Sequence, residues 1–247
     1  MRKLSVVVAV LALMPAVLCA QDIHKLYFNQ TGKLTDNMSV VAYIREYQVV
    51  GGQAQVQDFY YPSRKKYSDV YQVPLAQVKQ FIPKLNQGTL TLWYFNGQKK
   101  TVTSYQNGLP HGTWVKWYPD GKKMEEIPFV RGKTEGVGAR YYRTGRKESE
   151  IEFRNNQANG KWKQWHTNGG LKSEALMRNG RVIEALTWDD RGKVLSEMVF
   201  EGDKRNGIVL DWYPNGTKRS EAVYQNDNLI SKTVWNEQGD VLEESGY

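Results

Sequence analysis

The sequence predicts an all-β fold: an elongated, single-layer antiparallel β-meander of repeated hairpins, about 24 residues per unit, with a divergent N-terminal cap. Three observations carry this. An aromatic-led turn motif recurs every 23 or 24 residues. Each unit holds two turn signals, which leaves strands of about six residues between them. Side-chain character alternates with a period of two along those strands, as a pleated sheet requires.

The motif begins with Trp93-Tyr94-Phe95-Asn96-Gly97 and Trp117-Tyr118-Pro119-Asp120-Gly121. Tyr141-Tyr142-Arg143-Thr144-Gly145 and Trp165-His166-Thr167-Asn168-Gly169 follow. Trp188-Asp189-Asp190-Arg191-Gly192, Trp212-Tyr213-Pro214-Asn215-Gly216 and Trp235-Asn236-Glu237-Gln238-Gly239 complete the series. In the second unit Thr113 to Tyr118 is an aromatic and β-branched run. Pro119-Asp120-Gly121 turns it, with Pro presetting φ and Gly accepting the left-handed position. Lys123 to Val130 returns, and Arg131-Gly132-Lys133 turns into the next unit. Asn107-Gly108, Asn179-Gly180 and Gly202-Asp203 fill that second turn elsewhere.

Twelve residues after each motif aromatic comes a column of Tyr105, Phe129, Phe153, Met177, Phe200, Tyr224 and Tyr247. Thr103, Ile127, Ile151, Ala175, Met198, Ala222 and Ser245 lie two residues earlier and share its face. The opposite face carries Glu126, Glu150, Glu174, Glu197, Glu221 and Glu244, with Val102 in the first unit. The pattern predicts a sheet with one buried and one wet side. The motif aromatics and glycines (Trp93, Trp117, Tyr141, Trp165, Trp188, Trp212, Trp235; Gly97, Gly121, Gly145, Gly169, Gly192, Gly216, Gly239) are expected to be structural. Trp114 and Trp162 sit three residues before a motif aromatic, an odd offset that places them on the other face. They are the candidates for exposed recognition. The strand-end residues Tyr118, Tyr142, His166 and Tyr213 complete the candidate binding set.

Upstream, Tyr60-Tyr61-Pro62-Ser63-Arg64-Lys65-Lys66 and Tyr27-Phe28-Asn29-Gln30-Thr31-Gly32-Lys33 are degenerate forms of the same turn. Val40 to Val50, Gly51-Gly52 and Gln53 to Tyr61 form a hairpin pattern. Residues 21–87 are thus a divergent N-terminal β region. Leu75, Val78 and Ile82 have the spacing of one helix face, and Pro83 would stop a helix, so a short helix or linker is expected near 74–86.

The unit consensus, clearest in Asn107-Gly108-Leu109-Pro110-His111-Gly112-Thr113-Trp114, resembles the MORN-repeat variant family, with seven units over 88–247. The resemblance implies the elongated antiparallel meander. Members are often antitoxin-like, similar to the YwqK type, and other MORN proteins scaffold or bind membranes. The chain departs from the pattern at Val182-Ile183-Glu184, in a unit one residue short.

Residues 1–20 are expected to be a signal peptide: Arg2 and Lys3, an apolar run from Leu4 to Leu13, then Ala16 to Ala20. Leu18 before Cys19 is large for lipoprotein processing, which favours soluble export over acylation of Cys19. Removing Arg2 and Lys3 leaves 32 basic against 26 acidic side chains, a net charge of +6. The sole cysteine leaves with the leader, so thiolate metal sites and cysteine nucleophiles are excluded from the mature chain. No Gly-x-Ser-x-Gly elbow occurs, and His24, His111 and His166 lie in separate units without ligand spacing. Successive column glutamates should lie about 10 Å apart, beyond the roughly 5–5.5 Å of retaining glycosidases. Pairing with Lys122, Lys123, Arg146, Lys147, Lys218 and Arg219 accounts for them better. Gly136-Val137-Gly138 has no helix pattern after it, which voids a dinucleotide fingerprint. The expectation is a non-enzymatic, exported module without a cofactor. Its partner would be a protein, with a glycan or an anionic membrane surface as alternatives, and not nucleic acid. A toxin-neutralising role is the other reading.

Overall fold

The structure is a computed structural model and describes residues 22–201 and 204–246. The expected signal peptide with Cys19, the Gly202-Asp203 turn and Tyr247 lie outside the described residues. The protein is antiparallel throughout. Four strands form a first sheet in sequence order: β1 (His24–Asn29), β2 (Val41–Val50), β3 (Gln53–Tyr60) and β4 (Tyr71–Pro74). The second sheet opens with β5 (Gln87–Trp93), β6 (Lys99–Gln106), the short β7 (Leu109–Pro110), β8 (Gly112–Trp117), β9 (Lys123–Val130) and the short β10 (Lys133–Thr134). It continues through β11 (Gly136–Tyr141), β12 (Lys147–Arg154), β13 (Gln157–Trp165), β14 (Leu171–Arg178) and β15 (Arg181–Trp188). It ends with β16 (Val194–Glu201), β17 (Lys204–Trp212), β18 (Lys218–Gln225), β19 (Asn228–Trp235) and β20 (Val241–Gly246). Each strand pairs with its neighbour in sequence, apart from the two short strands, and β5 and β20 stand at opposite ends, so the sheet does not close into a barrel.

Local chemistry explains the meander. In each motif turn the residue after the aromatic closes a three-residue loop, as in Tyr118 N–H to Lys122 O (2.8 Å) and Gly121 N–H to Tyr118 O (2.9 Å). The seven motif glycines all sit at φ between +86° and +96°, a conformation that costs glycine nothing. A register shift follows at each turn, as between Lys116 and Trp117. The second turns place both central residues at positive φ, as at Asn179 (50°) and Gly180 (79°), matching the twist of the flanking strands.

The cap holds the main core. Ala54, Val56, Tyr67, Tyr71, Val73, Val78 and Leu85 pack with Leu90 and Leu92 of β5, so cap and array share one apolar cluster. The segment after β3 closes the leading edge of the long sheet: Trp93 donates to Tyr67 O (2.8 Å), and Asp69 N–H to Thr91 O (3.0 Å).

Of the two readings of residues 74–86, short helix or linker, the structure takes the linker: a single 3-10 turn, Leu75–Gln77, followed by irregular chain. Val78 is buried, but Leu75 and Ile82 are exposed, so no helix face forms. The reason is Arg45 on β2. Its guanidinium, fully buried, takes the carbonyls of Val78 (2.7 Å), Gln80 (2.6 Å) and Phe81 (2.6 Å). These are groups a helix would have used internally. One expectation is corrected, the extent of burial on the array's faces. Among the described residues from Lys99 onward only Gly138, Ala175, Met177 and Met198 are buried, all four on the face expected to be covered, and most strand residues on both faces are half-buried. A single layer of long side chains covers itself, with no second layer upon it.

Candidate functional site

Strand pairing assigns each side chain to a face. Trp114 pairs with Ile127, Gly138 with Ile151, and Trp162 with both Ile151 and Ala175. Trp114, Ile127, Gly138, Ile151 and Trp162 therefore form one row across β8, β9, β11, β12 and β13. Four strand spacings separate the two tryptophans, about 19 Å. Both rings are half-buried. Between them lies a hollow of about 100 Å³ over Gly138, walled by Ile127, Ile151 and Phe153. Glu125, Arg140 and Ser149 line it as well, with Arg140 Nε 3.9 Å from Glu125 Oε1. Gly138 keeps the hollow open, since a Cβ there would stand 3.0 Å from the Phe153 ring. An apolar floor of Ile127, Ile151 and Phe153, with both charge signs at the rim and a tryptophan next along the row on either side, suits a protruding amphipathic side chain.

The opposite face carries the glutamate column and the motif aromatics together. Tyr141 donates its hydroxyl to Glu126 Oε2 (2.9 Å). Lys147 lies 2.6 Å from Glu150 and 5.7 Å from the Trp165 ring centre. Lys218 joins Glu221 (2.6 Å) to Trp235 (5.3 Å) in the same way, and Lys123 pairs with Glu126. A lysine thus bridges the glutamate of one unit to the aromatic of the next. Partial burial opposes ionisation of Glu126, but the Lys123 and Tyr141 hydrogen bonds outweigh it and hold the carboxyl below its usual range.

Burial, and then the bond to Glu126, push the Tyr141 phenol up to about 12. Burial does the same for Tyr60, also to about 12. Because both folded values lie above the ordinary one, the stability these phenols contribute is complete below pH 10 and is lost as pH rises through about 12. Tyr141→Phe is expected to delete one tyrosinate absorbance step near pH 12. Deletion of a step near pH 10 would contradict the assignment.

Tyr118, Tyr142, His166 and Tyr213 occupy a different structural position. Each donates across the unit boundary to the backbone of the next motif aromatic: Tyr118 to Tyr141 O (2.8 Å), Tyr142 to Trp165 O (2.7 Å) and Tyr213 to Trp235 O (2.9 Å). His166 Nε2 lies 3.1 Å from Trp188 O, which requires the proton on Nε2. Tyr60 and Tyr94 start the ladder on Trp93 O (2.9 Å) and Trp117 O (2.8 Å). Their polar atoms pin unit to unit. Asp189 and Asn236 hold the same slot but cap their own turns. At the Asp189 boundary, Arg191 to Pro214 O (2.6 Å), Lys193 to Gly216 O (2.6 Å) and Trp212 Nε1 to Val194 O (2.6 Å) replace the pin. Tyr142→Phe is expected to lower stability by about 0.5–1.5 kcal/mol. Faster amide exchange confined to β12–β14 would locate the loss. A change spread evenly over the chain would contradict a boundary pin.

Sequence reasoning missed two features. Gly138 carries no turn signal, and its only mark is a glycine inside a strand. Arg45 has no pattern around it that announces burial. Among the described residues no group of three His, Cys, Asp or Glu side chains could hold a metal ion.

Residues 110–131, 158–179 and 205–226 match the family model described as MORN repeat variant. No curated protein matches the chain. A solved structure described as "Crystal Structure of TcdB2-TccC3" matches at 11% identity and a TM-score of 0.15, covering 92% of this chain. The chain spans 17% of the length of that one, and so low a TM-score carries no structural argument.

Proposed function

Since the chain is a protein of MORN-variant repeats, a kind of repeat that generally mediates binding, we propose that it is a non-enzymatic, exported binding module. It holds a protein partner on the uncovered face that carries Trp114 and Trp162, and it scaffolds that partner in or beyond the cell envelope. The observation that carries this reading is the row of two half-buried tryptophans flanking the hollow over Gly138. Tryptophans set on either side of a small apolar hollow with a polar rim are the kind of residue that anchors a protein interface. The leader pattern in residues 1–20 supports export. The unit-to-unit pins support a surface that is rigid before binding, which lowers the entropy cost of association.

Affinity capture with residues 21–247 against envelope and secreted fractions tests the reading, with Trp114→Ala/Trp162→Ala as the control. A stoichiometric protein retained by the wild type and lost with the folded variant is the expected result. If that protein is a toxin, the role narrows to antitoxin-like immunity. Retention on glycan or anionic lipid, with no protein captured, would overturn it.

A further inference from the structure

The repeats act as internal controls on one another, and one stretch of the glutamate face departs from the rest. In the second, third and sixth units the lysine three residues before the column glutamate neutralises it: Lys123–Glu126, Lys147–Glu150 and Lys218–Glu221. In the fourth, fifth and seventh units that lysine is replaced by Leu171, Val194 and Val241, and only the fourth and fifth are neighbours. Glu174 finds Lys163 across the strand pair instead (3.3 Å). Glu197 has no ion-pair partner among the described residues. Neither has Glu184, which stands four residues before its motif aromatic, where other units carry Thr113, Val137, Lys161, Ile208 and Ser231.

Register brings these residues together. Lys163, Glu174, Leu186 and Glu197 form one row across β13 to β16, and Lys161, Leu176, Glu184 and Val199 the adjacent row on the same face. Carboxylates and aliphatic side chains therefore alternate in both directions. The surface is concave: a groove of about 480 Å³ is lined by Glu174, Leu176, Glu184, Leu186, Glu197 and Val199, with Lys161 at one end. Val199 is 44% exposed. The groove carries two uncompensated carboxylates in a chain whose formal net charge is +8.

We propose that this groove on β14–β16 is a second docking surface, and that its occupant is an extended segment of a protein partner bearing lysine or arginine side chains. The aliphatic stems of such residues would lie on Leu176, Leu186 and Val199, and their cationic ends would meet Glu184 and Glu197. Charge complementarity selects the occupant, because an acidic segment would face unpaired like charges. The groove lies on the opposite face from Trp114 and Trp162. It shares with the proposed function only that the array binds protein, so either reading can fail alone.

The test is fluorescence anisotropy on the full chain with a labelled octapeptide of alternating Lys and Leu. The same peptide with Glu for Lys is the control. Saturable binding of the lysine peptide is expected, weakened by salt and reduced about tenfold or more in Glu184→Gln/Glu197→Gln. Glu126→Gln/Glu150→Gln and Trp114→Ala/Trp162→Ala are expected to change it by less than about twofold, since distant sites act independently. Leu186→Lys, which puts a cation in the middle of the groove, should abolish it. Absence of saturable binding, equal binding of the glutamate peptide, or equal loss in both glutamine variants would overturn the proposal. So would a dimer that dissolves in Glu184→Gln/Glu197→Gln, which would make a second copy the occupant.

Discussion

Replacing Arg45 with Met is expected to destabilise the cap by about 3–5 kcal/mol, the usual loss when one partner of a buried ion pair is removed. All five guanidinium N–H groups are engaged. Nε and Nη2 bind the two Asp58 oxygens (2.7 and 2.9 Å), and the other three reach the Val78, Gln80 and Phe81 carbonyls. Methionine fills comparable volume, so packing loss is small. What remains is a buried Asp58 carboxylate, helped only by the Tyr71 hydroxyl (2.8 Å) and its own backbone contacts, plus three carbonyls without donors. Each orphaned group adds to the cost. Chemical denaturation followed by amide exchange checks this, since a repeat array need not unfold in one step. Exchange should accelerate first in residues 75–85 and in β2 and β3. A loss below about 1 kcal/mol would show that the clamp is not what shapes that loop.

The second large effect is expected at Gly207, which pairs with Met198 in β16 and adopts φ +137°. A Cβ there would run into the Glu197 carbonyl oxygen, a backbone atom that cannot swing aside. Gly207→Ala therefore combines a strained backbone with a steric clash and should cost about 3–5 kcal/mol. Gly97→Ala is the matched control. It also has positive φ (+86°), but nothing lies within 4 Å of its Cβ position. That variant should lose only about 1–2 kcal/mol. Equal losses for the two variants, measured by denaturation, would mean that φ alone matters and that the close approach of β16 and β17 does not.

The repeat period, the hairpins and the strand alternation were readable in the sequence because each is a local rule repeated seven times. Trp93, Trp117 and their equivalents stood out for the same reason, as did the opposite-face placement of Trp114 and Trp162. Side-chain partners across units were not readable. Tyr118 and Tyr142 look like free polar aromatics until the next unit's carbonyl is brought within 2.8 and 2.7 Å of their hydroxyls. The one-sided burial expected from alternation is weak, confined to Gly138, Ala175, Met177 and Met198 on the expected face, because nothing packs over a single layer. Leu75, Val78 and Ile82 matched a helix in spacing, yet Arg45, 33 residues from Val78 along the chain, decided that loop. Gly138 became meaningful only when pairing set Ile127 and Ile151 on either side of it.

The central claim is that the face bearing Trp114 and Trp162 is the recognition surface. Its most direct test is calorimetric affinity of the captured partner for the wild type and for Trp114→Ala/Trp162→Ala. Gly138→Ala, which narrows the hollow and touches neither ring, is a further variant. Two anchor residues of about 2 kcal/mol each predict a loss approaching a thousandfold, with thermal unfolding preserved. An affinity unchanged within about threefold, in a variant that remains folded, would contradict the account.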